Sequence, residues 1–317
     1  MRRLTEVLED ETGESQTVWS LFRTPFQWVA AVLGSALVES LISNQAKRIF
    51  AFLVFVLVAV LMFFLDKRNR PVGTAILLRG WTGEHQEDLW NKMRSWVTKP
   101  FRYVYQFSTP LPKDPAQWAA PLEQLANQLA VSLDPNQGGP IDRNARKSVL
   151  LNMPITCAFW LGSQTGNRQD KLEVFAEHGD GFDRIQPAGG VVGKSSTTKI
   201  VDGRASEGLA IVFLVHKRVP AELDILAGSV KSILVIERSG ERMNGAEMDA
   251  SIREATLSIE DFVGKSVGRV KFLFDGPVAM AFSLGQRCRL FANRFDLMEH
   301  DRATNTYQKI MTPGVRL

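Results

Sequence analysis

One segment of this chain is nearly spelled twice. Lys147–Gly162 reads KSVLLNMPITCAFWLG and Val270–Gly285 reads VKFLFDGPVAMAFSLG, at a constant offset of 123 residues. Pro154/Pro277, Ala158/Ala281, Phe159/Phe282, Leu161/Leu284 and Gly162/Gly285 coincide. Each copy runs from an apolar strand, through a turn, into a helix opened by proline, whose missing N–H costs nothing at the first helical position. A second apolar run follows each copy, LEVFAE from Leu172 and FDLMEH from Phe295. A repeated strand–turn–helix–strand unit predicts an α/β fold of two similar lobes, related by a pseudo-twofold, with a cleft between them.

The 317 residues leave room for a membrane part ahead of the two lobes. Ile49–Leu65 (IFAFLVFVLVAVLMFFL) has no polar side chain over 17 residues. That length is the lower limit for crossing a hydrocarbon core of about 30 Å at about 1.5 Å per residue. Phe26–Ile42 is the partner segment, broken by Gln27, Ser35, Glu39 and Ser40. It reads either as a second spanning helix or as an interfacial amphipathic one. Gln27, Ala31, Ser35 and Glu39 recur every fourth residue and form one stripe. An ionisable residue within a bilayer is a functional candidate, so Gln27, Ser35 and Glu39 are a candidate membrane path. Glu39 also has the plainer reading of a side chain that snorkels to the headgroups. No cleavable signal peptide is expected, because the first 23 residues are acidic and the apolar stretch starts late. Lys67, Arg68 and Arg70 on one flank and Arg2, Arg3 and Arg23 on the other outnumber Lys47 and Arg48 in the hairpin loop. Both ends are therefore expected to be cytoplasmic.

The organisation that follows is a tail over 1–23, two transmembrane helices over 24–66 and a first lobe over 67–187. A mobile, Gly/Ser/Thr/Lys-rich linker over 188–207 and a second lobe over 208–317 complete it. In the first lobe, strands Gly73–Arg79 and Phe101–Phe107 alternate with helices Glu84–Val97 and Pro115–Leu133 ahead of the repeat. In the second, strands Gly208–His216 and Lys231–Ile236 precede helix Glu247–Val263. Each lobe closes on an antiparallel hairpin, Leu172–Ala176 with Phe182–Ile185 and Phe295–Glu299 with Tyr307–Ile310. Apolar, β-branched runs alternating with helical patterns imply buried, mostly parallel strands.

In open α/β sheets ligands bind beyond the carboxyl ends of the strands. That rule selects the loops at Arg79–Thr82, Ser108–Pro110, Asn152–Met153, His216–Arg218, Arg238–Gly240 and Asp275–Gly276. The candidate ligand residues within them are Arg79, Gly80, Trp81, Ser108, Thr109, Lys217, Arg238, Ser239, Asp275, Gly276 and Pro277. Arginine grips phosphate bidentately, helix starts offer free N–H groups to anions, and tryptophan stacks a base. Two such loop sets suit a small, pseudo-symmetric, anionic nucleotide; singly, each residue also fits a solvated loop. Arg79 and Arg238 end equivalent-looking apolar strands and are the expected phosphate grips.

KFLFDGPVAMAFSLGQRCRL followed by FDLMEHDRATNTYQKIM resembles the C-terminal half of SAVED domains, which consist of two fused CARF-type, Rossmann-like lobes. The resemblance covers about residues 72–317 and agrees with the internal repeat. Membrane helices ahead of such a domain look like a transmembrane effector of bacterial CBASS antiphage defence. The resemblance implies a non-enzymatic protein that senses a cyclic di- or trinucleotide made by a partner nucleotidyltransferase and assembles head to tail. The assembly then disrupts the inner membrane. Gly276 and Pro277 carry over by position, whereas Met153 stands where the second lobe has Gly276, so the half-sites are expected to differ.

Other chemistry is poorly supported. Ala188–Ser195 (AGGVVGKS) fits a relaxed phosphate-binding-loop pattern, the basis of an alternative reading as a membrane-tethered nucleotide-dependent enzyme. That pattern needs a helix after it, and the β-branched STTKIV run is a poor helix start. His85, His178, His216 and His300 lack metal spacing, and Cys157 and Cys288 are expected to be reduced thiols. No metal, cofactor or catalytic residue is expected. A net charge of +4 is too small to argue for duplex nucleic acid.

Overall fold

The computed structural model describes residues 73–81, 84–98, 100–101, 103–133, 147–165, 172–186, 196–215, 223–238, 243–266, 268–301 and 306–311. All fall in one compact unit, Pro71–Leu317. The tail, both apolar segments and the Gln27, Ser35 and Glu39 stripe lie outside the described residues. Among the described residues no helix is long and apolar enough to cross a membrane.

Two sheets carry the fold. Strands β1 (Thr74–Arg79), β2 (Tyr103–Ser108), β3 (Lys147–Asn152), β4 (Leu172–His178) and β5 (Gly181–Ile185) form the first, in the order β2-β1-β3-β4-β5. All neighbours are parallel except β5, which returns antiparallel on β4. The second sheet contains β6 (Thr197–Asp202), β7 (Leu209–Leu214), β8 (Ser232–Glu237), β9 (Val270–Asp275), β10 (Phe295–Asp301) and β11 (Thr306–Met311). Its order is β11-β10-β9-β7-β8-β6. Read from β8, it repeats the first sheet, with β6 added antiparallel on the outer edge of β8. The 123-residue offset holds for the starts of β3 and β9, of the helices behind them, and of β4 and β10.

The helices are α1 (Glu84–Val97), α2 (Ala119–Leu133), α3 (Ile155–Gln164), α4 (Leu223–Ala227), α5 (Gly245–Gly264) and α6 (Val278–Arg287). A 3-10 turn, Pro115–Gln117, precedes α2 and is capped by the Asp114 carboxylate. Asn244 and Glu247 start α5 with a reciprocal capping box, which satisfies the free N–H groups of its first turn. Pro154 and Pro277 sit one position earlier than expected, as caps of α3 and α6 with extended ψ of 145° and 135°. Their fixed φ suits that place as well, and the first helical N–H is left to the next residue.

α3 and α6 lie between the sheets, and α2 and α5 join them in one shared apolar core. α1 covers the outer face of the first sheet and α4 that of the second. α3 touches both sheets. Its first turn meets the second half of β10, where the Thr156 hydroxyl donates to Glu299 at 2.7 Å. A turn later, the Phe159 ring lies 5.9 Å from Phe295 at the start of β10 and 4.6 Å from Phe272 in β9. α3 thus runs opposite to β10, as it does to the β3 strand it leaves, so both sheets point the same way.

The stretch 188–207, expected as a mobile linker, is not wholly one: Thr197–Asp202 is β6. The Leu223–Ala227 helix is also additional to the sequence reading. The alternating helices and strands of the first lobe, and both closing hairpins, fall where the pattern put them.

Candidate functional site

The carboxyl ends of β1, β2 and β3 are stitched together by backbone bonds. Gly80 N–H donates to the Asn152 carbonyl at 2.8 Å, and Trp81 N–H reaches the same oxygen at 3.3 Å. Thr109 N–H donates to Arg79 O at 3.0 Å, and Leu111 N–H to Gly80 O at 3.0 Å. Arg79, Gly80, Trp81, Ser108 and Thr109 therefore form one contiguous edge. Gly80 sits in a tight place, since a Cβ there would lie 3.0 Å from Leu111 Cδ1 and 3.1 Å from Met153 Cβ. Trp81 is the exposed aromatic of the set, at 37%.

Arg79 is engaged within the fold. Its Nε donates to Trp81 O at 3.0 Å, its Nη2 pairs with the Glu87 carboxylate in the first turn of α1, and its guanidinium lies 5.4 Å from the Trp90 ring centroid. These contacts fix the Trp81 turn against α1. Beneath the edge, the Asn152 amide donates to Gln86 O at 2.9 Å, while its Oδ1 is buried and has no hydrogen-bond partner among the described residues. Thr109 Oγ1 is in the same condition. Buried acceptors left open are uncommon and mark places where a ligand or water completes the bonding. Asn152 is the residue absent from the candidate set. Its signal in the sequence is a polar side chain ending the otherwise apolar β3.

The second lobe repeats the stitch. Val215 N–H donates to Asp275 O at 2.8 Å and Arg238 N–H to Leu214 O at 2.8 Å. The counterpart of Arg79 is therefore Leu214, and the counterpart of Arg238 is Thr109. This corrects the expectation that the two arginines end equivalent strands: Arg79 ends β1 in mid-sheet, whereas Arg238 follows β8. The Arg238 side chain is 12% exposed, with Nη2 3.9 Å from the Glu247 carboxylate. Gly276 admits no side chain, because a Cβ would lie 2.5 Å from Val215 Cγ2. Met153, fully buried, fills the equivalent place in lobe one. The half-sites thus differ in charge as well as shape. Asp275 is exposed beside Gly276, and Pro277 caps α6. Lys217 and Ser239 lie outside the described residues.

Because both sheets point the same way, these two edges open on the same side of the molecule. The loops behind them also cross between lobes. The 3-10 turn Pro115–Gln117 touches β11, and the α5 start lies so close to β5 that a Cβ on Gly245 would be 1.9 Å from Arg184 O.

The rest of the chemistry is quiet. Burial, reinforced by Glu299, raises the Cys157 thiol, and burial likewise raises Cys288, so both stay protonated at neutral pH. Among the described residues no group of three His, Cys, Asp or Glu is placed to hold a metal ion. The helix needed after Ala188–Ser195 for phosphate binding is replaced by β6.

No family model matches the chain, and no curated protein does. Solved structures do. The Acinetobacter baumannii Cap4 SAVED/CARF-domain containing receptor with the cyclic trinucleotide 2'3'3'-cAAA matches with a TM-score of 0.53 at 16% identity, over 84% of this chain and 56% of the receptor. The same receptor with 3'3'3'-cAAA matches with a TM-score of 0.51 at 16% identity, over 74% of this chain and 50% of the receptor. The chain thus spans about half the length of these receptors. The likeness is one of fold: the two lobes have a SAVED/CARF-type architecture.

Proposed function

We propose that this protein is a membrane-anchored receptor–effector of CBASS type whose SAVED-type lobes bind a cyclic oligonucleotide. One observation carries the reading: two pseudo-symmetric strand-end edges open on the same side of a fold shared with receptors solved with cyclic trinucleotides. The ligand lies across both edges. Arg238 and the backbone at Gly276 hold phosphate, Trp81 stacks a base, and Asn152 Oδ1 and Thr109 Oγ1 take donors from the ligand. Ser108, Asp275 and Pro277 complete the rim, and Arg79 orients Trp81. No covalent chemistry is assigned. A partner nucleotidyltransferase supplies the ligand. Its binding shifts the population toward assembled protomers, only as far as its preference for that state allows. Assembly gathers the Ile49–Leu65 and Phe26–Ile42 segments in the inner membrane and breaches it. Calorimetric titration of the full-length protein in detergent tests the first step. Saturable binding of a cyclic di- or trinucleotide, absent with linear analogues, is expected; no heat with any cyclic species would overturn the reading.

A further inference from the structure

Lobe two covers the outer edge of its second strand with β6. Lobe one leaves the corresponding edge, that of β2, bare among the described residues. The helices beside these edges, α2 and α5, are equivalent. At a shift of 126 residues their buried positions coincide: Leu122 with Met248, Leu125 with Ser251, Leu129 with Ala255, and Leu133 with Ile259. The same shift sets Gln128 at the place of Glu254 and Ser132 at that of Ser258.

In lobe two those positions hold the strand. Ser196 donates its N–H at 2.9 Å and its hydroxyl to the Glu254 carboxylate, and the Thr198 and Ser258 hydroxyls are 3.4 Å apart. In lobe one Gln128 and Ser132 line, with Phe107 and Val131, a surface groove of about 490 Å3. The side-chain oxygen of Gln128 is buried and has no hydrogen-bond partner among the described residues. Lobe one therefore keeps a groove at the place where lobe two holds its strand.

β6 offers the matching strand. Every one of its residues is exposed, Ile200 at 64% and Val201 at 36%. Its inner edge pairs with β8 from Thr197↔Glu237 to Asp202↔Ser232, and its outer edge is unpaired among the described residues. Thr198 faces α5, and Ile200, two residues on, faces the same way. That is the face on which α2 and Phe107 lie in lobe one. We propose that β6 of one copy docks on the β2 edge of a second copy, with Ile200 against Phe107 and Val131. The second sheet of one protomer thereby continues into the first sheet of the next.

β2 and β6 lie at opposite ends of the two-lobed body, since the turn before α2 touches β11 and α5 touches β5. A contact between opposite ends does not close a twofold dimer; it propagates head to tail. This inference rests on the function proposed above only for what assembly accomplishes.

The test uses full-length protein in detergent, with Val131→Cys in one preparation and Ile200→Cys in another. Native Cys157 and Cys288 are buried and do not compete. A short bismaleimide is expected to join the two variants only when they are mixed, and Val201→Lys added to the Ile200→Cys chain is expected to remove the product by placing a charge at the edge. A product from either variant alone would mean like-with-like pairing and overturn the proposal. So would no product from the mixture across a concentration series, with and without 3'3'3'-cAAA. Calorimetry scores the ligand reading separately, so cross-linking without ligand binding would sink that reading and leave the docking.

Discussion

A Cβ placed on Gly162 of α3 would lie 2.1 Å from the carbonyl oxygen of Phe282 in α6. The relation is reciprocal: a Cβ on Gly285 would lie 2.1 Å from the carbonyl of Phe159. Both pairs are related by the 123-residue repeat, so the glycines repeated in the sequence mark the pseudo-twofold itself. Two helices approach to backbone contact there, and that approach brings Phe159 onto Phe272 and Phe295 of the opposite lobe. The repeat therefore encodes the interface between lobes as much as the lobes.

Gly285→Ala and Gly162→Ala should each be destabilising, because the obstacle is backbone rather than a movable side chain. Overpacking costs about 1–3 kcal/mol, and each kcal/mol lowers Tm by about 2–4 °C in a unit of this size. Gly264→Ala is the control: nothing lies within 4 Å of its Cβ position and the residue is helical, so it should be neutral or slightly stabilising. Calorimetric melting of the three variants decides this, and equal Tm values would mean that the helices are not in backbone contact.

Phe282 and Phe159 should behave as core, not as ligand contacts, since both are buried at 0% and 1%. Phe282→Ala is expected to cost about 3–5 kcal/mol. A variant with parental Tm and lost binding would move Phe282 into the site.

The fold was legible where burial dictates sequence. β3, α3 and β4 recur as β9, α6 and β10 because both faces of a central parallel strand, and a helix wedged between two sheets, are buried and take mostly apolar residues. β6 was not legible. Its TTKIVD is exposed throughout, and what makes it a strand is the β8 edge and the Glu254 carboxylate, far along the chain. The arginines were misaligned for a similar reason. An apolar run ending in arginine reads the same whether the strand is central, as β1 is, or second from the edge, as β8 is. Only the Thr109–Arg79 and Arg238–Leu214 backbone bonds tell them apart. Asn152 was visible as a polar strand end, but its open acceptor exists only once Gln86 has taken the amide.

The two arginines should consequently separate. Arg79 is held by Glu87, Trp90 and the Trp81 carbonyl, so Arg79→Ala should lower Tm and weaken binding together. Arg238→Ala should weaken binding of a cyclic trinucleotide by about 10- to 150-fold, the worth of a charge-assisted hydrogen bond of about 1.5–3 kcal/mol. Thr109→Val keeps the shape and removes a hydroxyl that has no hydrogen-bond partner among the described residues. It should leave Tm unchanged while weakening binding about 2- to 13-fold, the equivalent of about 0.5–1.5 kcal/mol. Titrations paired with melts test all three; a Thr109→Val protein that melts early would place that hydroxyl in the structure instead.

Lys194→Ala distinguishes the receptor from a nucleotide-dependent enzyme. A phosphate-binding loop hands its phosphate to the start of a following helix, whereas Ser196 and β6 follow Lys194 here. Cyclic trinucleotide binding and assembly should survive the substitution, and no ATP hydrolysis should be measurable before or after it. Hydrolysis that disappears with Lys194 would favour the enzyme.

The membrane step turns on the Gln27–Ala31–Ser35–Glu39 stripe. On the proposed reading Ile49–Leu65, with only apolar side chains, anchors and does not conduct, while the stripe is the face of Phe26–Ile42 suited to water. On the same reading, assembly driven from the lobes would bring stripes of several copies together, and a shared polar face would favour a water path over lipid contact. Glu39→Leu should preserve insertion, ligand binding and cross-linking through β6, yet slow ligand-triggered leakage. Proteoliposomes loaded with a self-quenching dye, with lobes facing outward and cyclic trinucleotide added outside, measure this directly. Leakage at the parental rate would assign the breach to crowding of the anchors, because a clustered bundle deforms the bilayer without any polar stripe.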